Sequence, residues 1–260
     1  MSLSSGTSGS GLVCGPVAGG GEHAAVAEPW LDRRGSADPV IAAVLGAVEV
    51  FEDLYSGAER GDLEAMFTLG VYLKVAGRVS EAETWWRRAA EAGYVSAMVS
   101  LARILDDRVE AEEWWWEAAE AGNAEGMTGL GLLLRDAGDA TQAEAWFRKA
   151  ATAGDVEGMF SLGLSLGMER LTEAEQWFTK AAGEGHPGAM YMLGTLRYDQ
   201  RHLMEAEEWF RKAAERKYSP AMYSLWELLR ETGRREEATA WLRRAAEEGF
   251  GPAREALGWE

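Results

Sequence analysis

The amino-acid sequence predicts an all-α protein built as a solenoid of stacked helix pairs. The first reason is a Trp-bearing stretch, Glu81 to Gly93, which recurs down the chain with a period of about 32 residues, as helical repeat arrays do. The second is another short motif, Met-x-x-Leu followed by a small residue, which lies between successive copies. The third is the scarcity of proline, with 6 residues in a chain of 260, which suits helices joined by short turns.

Residues 1–37 are predicted to form a flexible tail. They are rich in Gly, Ser and Ala, and they carry too few large apolar groups to offset the entropy of ordering. The short apolar stretch Val26 to Leu31 is either an idle linker or a peptide that docks in this protein's own groove or in a partner's. Met1 to Gly11 lack the charge and the apolar run of a secretory signal. Because Cys14 is the single cysteine, no intramolecular disulfide framework is expected, and the cytoplasm is the expected compartment.

Residues 38–61 are predicted to form an N-terminal capping helix or a degenerate first repeat. Asp38 suits an N-cap and Pro39 the first helical position. Apolar residues then follow at helical spacing from Ile41 to Tyr55. Terminal units of solenoids usually depart from the repeat, because one of their faces has no neighbour to cover it.

Residues 62–251 are predicted to hold six repeat units, each an antiparallel helix pair. Their predicted bounds are 62–93, 94–122, 123–154, 155–185, 186–217 and 218–249. In the first helix of a pair, Met and Leu form one buried stripe, as at Met66 and Leu69. In the second helix, small and large residues such as Ala82 and Trp86 share a face that is suited to packing on other helices. Residues 252–260 begin another first helix and are predicted to be a C-terminal cap.

Two finer features of the units are predicted. Each of three second helices is expected to begin with a capping box, in which a hydroxyl residue precedes a Glu by three positions. The expected caps are Ser80, Thr141 and Thr172. The second unit is about three residues shorter than the others, and we expect the turn at Asp106 to Arg108 to absorb the loss, so that both helices keep their length.

The two motifs together resemble Sel1-like repeats, a branch of the tetratricopeptide superfamily. The resemblance rests on Ala-Met-x-x-Leu-Gly, as in Ala65 to Gly70, and on Ala-x-x-Trp-Phe-x-Lys-Ala-Ala-x-x-Gly, as in Ala143 to Gly154. It covers residues 62–260 and implies that first helices line the inner curve, in what we expect to be a right-handed superhelix. The chain departs from the common tetratricopeptide unit in having Met where that unit favours Trp, and it lacks the Cys pairs of secreted Sel1-like proteins.

Charge and motifs exclude several classes of function. The formal net charge of −17 disfavours a nucleic-acid backbone or an anionic membrane surface as partner, and no apolar run reaches the length of a membrane span. Metalloprotease, serine-hydrolase and Walker motifs are absent from the sequence. Gly183 to Gly188 fits Gly-x-Gly-x-x-Gly but joins two helices, so it is predicted to be a turn. His23, His186 and His202 are scattered, and no metal or cofactor is expected.

The candidate partner-binding groove is the face of the first helices about 100° from the Met/Leu stripe. It interleaves aromatic rings with Arg, the residue types that are enriched where partners bind. The predicted groove residues are Phe67, Val71, Arg103, Leu132, Arg135, Phe160, Leu164, Tyr191, Thr195, Tyr198, Tyr223, Glu227 and Arg230. Val99 and Thr128 share this face. The alternative, which stays open here, is that the rings pack on the next repeat.

Three consecutive tryptophans, Trp114 to Trp116, hold one ring more than packing needs. Trp116 projects about 100° away from Trp115, so we predict that it is exposed on the outer surface as a possible interface. A homodimer contact and accommodation in a local pocket are both open.

The leading hypothesis is a non-catalytic adaptor that binds a protein or a peptide in the concave groove. Its own N-terminal tail or a second copy are further possible occupants. If it is correct, replacing Tyr191 and Tyr223 together by Ala should abolish partner capture and leave helical content intact. The alternatives are an accessory or regulatory subunit of an enzyme, an enzyme acting on a small molecule, and a self-assembling structural protein.

Overall fold

Helices joined by short turns make up nearly all of the structure, a computed structural model that describes residues 50–259. No strand occurs among these residues. The segment Gly57–Glu260 forms one compact unit, and of the unit Met1–Ser56 only the helical residues 50–56 are described. The predictions for the tail at 1–37, for Cys14 and for the start of the capping helix at Asp38 therefore lie outside the described residues.

Regular helices follow one another from Leu63 onward. They are α1 (Leu63–Val75), α2 (Val79–Glu91), α3 (Val95–Ala102), α4 (Arg108–Glu120), α5 (Ala124–Asp136), α6 (Ala140–Thr152), α7 (Val156–Leu166), α8 (Leu171–Gly183), α9 (Pro187–Asp199), α10 (Leu203–Glu215), α11 (Ser219–Glu231), α12 (Arg235–Glu247) and α13 (Gly251–Leu257). Within the described residues, none of these helices has the length and apolar composition of a membrane span.

Each helix packs against the next one along the chain. Because the turns are short, neighbours run antiparallel, and from α1 to α12 each odd-numbered helix forms a pair with the even-numbered helix that follows. We call the odd-numbered members first helices and the even-numbered members second helices. The first helices α5 and α7 also contact each other, which shows that consecutive pairs stack. The predicted all-α solenoid is confirmed.

The core is the stripe that the Met-x-x-Leu motif predicts. The motif's leucine is fully buried in every pair, at positions 69, 101, 130, 162, 193 and 225. Burying one such side chain contributes about 1.5–3 kcal/mol, so this row of leucines is a main source of stability. The alanines of the second helices, such as Ala89 and Ala118, are buried as well and allow close approach of the neighbouring helices.

Glycines beside the buried leucines make room for the rings of the second helices. A Cβ placed on Gly70 would lie 2.6 Å from Cδ1 of Trp86, and one on Gly131 would lie 2.6 Å from Cε1 of Phe147. Real Cβ atoms essentially never approach a neighbour so closely. The Trp86 indole also donates a hydrogen bond from Nε1 to the carbonyl of Phe67 at 3.0 Å, so its position is held from two sides.

Two residues after the end of each second helix lies a residue in the left-handed conformation, usually glycine. Gly93, at φ 89°, donates to the Ala90 carbonyl at 2.8 Å, and the next residue donates to Ala89 at 3.0 Å. Lys217 takes the same place at φ 60° and donates to the Ala214 carbonyl at 3.0 Å. Since a side chain in this conformation costs about 1–2 kcal/mol, Lys217 is a strained substitute for glycine.

The second unit differs from the prediction. α3 has 8 residues, whereas α1 has 13, so the missing residues come from the helix and not from the turn. Asp107 explains this, because its side chain caps α4 by accepting from the N–H groups of Val109 at 2.8 Å and Glu110 at 3.3 Å. A cap needs extended backbone, so the chain leaves the helical conformation early, and Arg103 becomes the C-cap of α3.

The predicted capping boxes are also wrong. Ser80, Thr141 and Thr172 lie at the second position inside α2, α6 and α8. Asp139 caps α6 instead, since its Oδ1 accepts from the Gln142 N–H at 3.0 Å. At the start of α2, Arg78 pairs with Glu81 at 2.6 Å. The N-cap position of all three helices is thus a charged residue, Arg78, Asp139 or Arg170, and of these only Asp139 caps through its side chain.

Candidate functional site

The predicted groove residues stay accessible, and we call this set the first-helix face. The half-buried members are Phe67, Leu132, Phe160, Tyr191, Thr195, Tyr198 and Tyr223, and the exposed members are Val71, Arg103, Arg135, Leu164, Glu227 and Arg230. Val99 and Thr128, which were expected on the same face, are buried, so the prediction is wrong for these two.

The buried Thr128 side chain forms a hydrogen bond between its own unit and the next one. Its hydroxyl donates to Oδ2 of Asp155 at 2.7 Å, and the same oxygen accepts from the Gly158 N–H at 2.6 Å. Asp155 is the N-cap of α7. The side chain at this place of a first helix therefore contacts the residue that caps the next first helix.

The aromatic rings of the first-helix face make the corresponding contact. The ring pairs, with their centroid separations, are Phe67 and Tyr94 (5.5 Å), Phe160 and His186 (4.3 Å), Tyr191 and Tyr218 (5.5 Å), and Tyr223 and Phe250 (5.6 Å). The second member of each pair is the N-cap of the next first helix. The rings thus do pack on the following unit, and each keeps part of its surface accessible.

His186 serves as a cap. Its Nδ1 accepts from the Ala189 N–H at 3.0 Å, which places the proton of the neutral ring on Nε2, 3.2 Å from Oε2 of Glu157. This hydrogen bond lowers the pKa of Glu157. Among residues 50–259 no group of three or more His, Cys, Asp or Glu side chains could hold a metal ion.

Polar groups on the first-helix face are tied by exposed contacts. The Tyr198 hydroxyl donates to Oε2 of Glu231 at 2.8 Å, and this contact raises the pKa of Tyr198. The Arg230 guanidinium lies 4.7 Å from the ring centroid of Trp226. Arg135 pairs with Asp136 at 3.2 Å. Exposed pairs of this kind are worth about 0–1 kcal/mol, so a partner could exchange them at little cost.

An apolar crevice opens beside Leu164, and we call it the Leu164 crevice. It has a volume of about 160 Å³ and is lined by Gly163, Leu164, Gly167, Met168, Leu171, Ala174, Phe178, Met192 and Leu196. Leu164 and Met168 at its mouth are 42% and 76% exposed. Of the lining residues only Leu164 was predicted. The others were missed because α7 stops at Leu166, two residues short of the 13-residue helices, and the turn that follows carries Met168 to the surface.

The second helices carry chains of ion pairs from one unit to the next. Arg87 of α2 pairs with Glu83 at 2.9 Å and reaches Glu110 of α4. Arg148 of α6 pairs in the same way with Glu144 and with Glu173 of α8, and Arg211 of α10 pairs with Glu207 and Glu237. Hydrogen bonding to the respective arginines lowers the pKa of Glu110, Glu173 and Glu237.

Helix α4 departs from this arrangement. Trp116 stands at the position that Arg87 holds in α2, and it is 46% exposed. Its ring meets that of Trp146 in α6 edge to face, with 5.7 Å between centroids. Trp116, Val109, Glu112, Glu113 and Glu117 line a shallow depression, and we call these five residues the α4 stripe.

Comparison with known structures places the fold among helical repeat proteins. A protective antigen of uropathogenic Escherichia coli strains, c5321, displays an SLR fold and is 26% identical, with a TM-score of 0.67 over 81% of this chain and 53% of the antigen, so this chain spans about half the antigen's length. A Sel1 repeat protein from Oxalobacter formigenes is 22% identical, with a TM-score of 0.66 over 81% of this chain and 97% of that protein. The pilF protein of Pseudomonas aeruginosa is 18% identical, with a TM-score of 0.60 over 78% and 98% of the two chains.

Sequence comparison supplies the family. No curated protein matches the chain. The family model described as Sel1 repeat matches residues 63–94, 103–123, 125–155, 156–186, 187–218 and 234–250, which together exceed half of the chain. The helix pairs, their Met/Leu stripe and their Trp-bearing second helices are thus those of the family that the motifs resemble, and the chain belongs to the Sel1 repeat family.

Proposed function

We propose that this chain is an adaptor that holds a peptide or a protein segment on the first-helix face, with the Leu164 crevice as the anchor point. Sel1 repeats generally form non-catalytic scaffolds for protein–protein interaction, which supports binding over catalysis. The net charge of −17 supports a neutral or basic partner protein over nucleic acid or an anionic membrane. The cytoplasm as compartment belongs to the same proposal.

The crevice is the observation that carries the proposal. A cavity of about 150 Å³ lined by apolar side chains stays dry and takes a benzene-sized group, and the Leu164 crevice has about 160 Å³. It is therefore the right size for one Leu or Phe side chain of a partner. The flexible Met168 side chain at the mouth can adjust to the guest, and it would lose exposed apolar surface on binding.

Specificity would come from the charged residues around the anchor. Arg135 of α5 and Leu164 of α7 line the same depression, together with Glu144. The partner of Arg135, Asp136, is exposed, so an acidic group of the guest could replace it. We therefore expect a guest that presents an apolar anchor with an acidic residue next to it. The polar contacts would contribute more to specificity than to affinity.

The tyrosines of the first-helix face play a secondary part in this proposal. Tyr191 and Tyr223 hold the N-caps of the following units through Tyr218 and Phe250. Replacing them by Ala would loosen the stacking of units as well as any bound partner, so loss of capture in that variant would not identify the groove. A substitution at Leu164 avoids this problem, because its side chain is exposed.

Panning of a random peptide library on the purified chain tests the proposal. We expect peptides with a Leu or Phe anchor to be enriched on the wild type and lost on Leu164→Glu. Met204→Glu is the matched control, because Met204 is 83% exposed on α10 and the substitution has the same chemistry. Circular dichroism should show equal helical content in all three proteins. Enrichment of the same peptides on Leu164→Glu, or no enrichment on the wild type, would refute the crevice as anchor.

A further inference from the structure

In the second helices other than α4, a Lys or Arg side chain lies over the ring of a Trp in the same helix. In five of them a Lys or Arg three residues after the Trp lies over its ring. The pairs, with their distances to the ring centroid, are Arg88 and Trp85 (5.4 Å), Lys149 and Trp146 (3.6 Å), Lys180 and Trp177 (4.0 Å), Lys212 and Trp209 (4.2 Å), and Arg244 and Trp241 (4.5 Å). In α4 the residue three positions after Trp114 is Glu117, so a carboxylate replaces the cation.

The arginine of the ion-pair chain is missing from α4 as well. Its position holds Trp116, which is 46% exposed, where α2, α6, α10 and α12 carry Arg87, Arg148, Arg211 and Arg243 and α8 carries Thr179. The only basic residue of α4 is Arg108, and its Nη2 donates to the carbonyl of Leu133 at 3.0 Å. Both cations that the repeat normally supplies on this side are therefore absent from one helix.

The carboxylates of the α4 stripe are not neutralised from within the described part of the chain. Glu110 is bound by Arg87, but within residues 50–259 no ion pair forms on Glu112, Glu113 or Glu117. These three lie on one side of the helix with Val109 and Trp116, because the spacing i, i+3, i+4, i+7 and i+8 follows the helical period. Val109 is 70% exposed. The stripe is thus an apolar strip with an acidic border.

We propose that the α4 stripe is a second binding surface, which accepts a basic segment of a partner protein. A Lys or Arg side chain of that segment stacks on Trp116, where a cation is favoured by the ring's electron distribution. Neighbouring basic residues pair with the three glutamates, and an apolar residue of the segment covers Val109. The partner restores from outside the cations that the other units carry themselves.

Charge decides between this partner and a second copy of the chain. Two copies meeting through their stripes would bring six carboxylates together at a chain charge of −17 each, and opposed like charges are costly at an interface. A basic segment instead finds complementary potential. Since exposed charges are screened by salt, the affinity must fall as the ionic strength rises.

The test uses a fluorescent peptide of alternating Arg and Leu, with a peptide of alternating Glu and Leu as the probe of opposite charge. Anisotropy titrations of the full-length chain should show saturable, salt-sensitive binding of the basic peptide only. Glu117→Lys installs the residue found in α6, α8 and α10, and Trp116→Arg the residue found in α2, α6, α10 and α12, so both variants should fold. Each should bind the basic peptide about tenfold more weakly or worse, because a repulsive charge replaces an attractive group.

Glu208→Lys is the matched control. Glu208 is exposed on α10 and the substitution changes the net charge as Glu117→Lys does, so binding within about twofold of the wild type is expected if the α4 stripe is the site. Equal loss in Glu208→Lys would show a non-specific charge effect and overturn the proposal. So would equal binding of the acidic peptide, no binding by the wild type, or a wild-type dimer in sedimentation that Trp116→Arg converts to a monomer.

Discussion

Replacing Gly70 by Ala should destabilise the fold, although alanine is the better helix former. The added Cβ would lie 2.6 Å from Cδ1 of the buried Trp86, and crowding of this kind costs about 1–3 kcal/mol. Displacing the ring also weakens the hydrogen bond from Trp86 Nε1 to the Phe67 carbonyl, worth about 1 kcal/mol. Against this stands a gain of about 0.5–1 kcal/mol from replacing a helical glycine. The net expectation is a loss of about 2 kcal/mol.

Urea unfolding followed by far-UV circular dichroism measures this difference. Because a weakened unit of a repeat array can open alone, hydrogen exchange in α1 and α2 should be recorded alongside. Gly183→Ala is the matched control, since Gly183 is the last residue of α8 and an added Cβ there meets no atom within 4 Å. It should be neutral or slightly stabilising. A Gly70→Ala protein as stable as the wild type would show that the ring has room to move, and our account of this packing would be wrong.

Three further outcomes are expected. Lys217→Gly should raise the free energy of unfolding by about 1 kcal/mol, because glycine relieves the left-handed strain, and urea unfolding would show it; an unchanged midpoint would contradict the strain. Thr128→Val should lower the free energy of unfolding by about 1–2 kcal/mol through loss of the hydrogen bond to Asp155, and amide hydrogen exchange in α7 should become faster. Faster exchange confined to other helices would contradict the role of this hydrogen bond between the units. Hydrogen bonds from Arg148 lower the pKa of Glu173 below 4.5 in the folded chain. The ionised Glu173 therefore stabilises the fold above that pH, and this stabilisation is lost as the pH falls through the lowered pKa. Glu173→Gln should flatten the acid side of a plot of unfolding free energy against pH, and an unaltered slope would argue against the ion pair.

Periodicity predicted the architecture because the same packing constraint is repeated in each unit. A buried Leu recurs in the first helix of all six pairs, and a small residue follows it in all of them except α11, where Trp226 does, so the helix pairs do not depend on any single position. The length of α3 could not be predicted in this way. It depends on a competition between helix continuation and the cap at Asp107, and the hydrophobic period carries no information about that competition.

The candidate site was predicted in outline only. Helical geometry places side chains such as Leu164 and Tyr198 on an accessible face, but it cannot tell a ring that binds a partner from one that packs on the next unit. The signal that separates them is a contact between positions 27 residues apart, such as Thr128 and Asp155. The Leu164 crevice depends on an irregular turn, and the lost cation of α4 is seen only when Glu117 is compared with its counterparts in the other units.

The edge-to-face contact between Trp116 and Trp146 connects α4 to α6 through two aromatic rings and not through an ion pair. Where α2 meets α4, α6 meets α8 and α10 meets α12, the bridging groups are ionic, and dissolved electrolyte or acid weakens them. The contact between the two uncharged indole rings is weakened neither by salt nor by acid. In concentrated salt or at low pH, therefore, the contact between α4 and α6 keeps its strength while these three ionic contacts weaken.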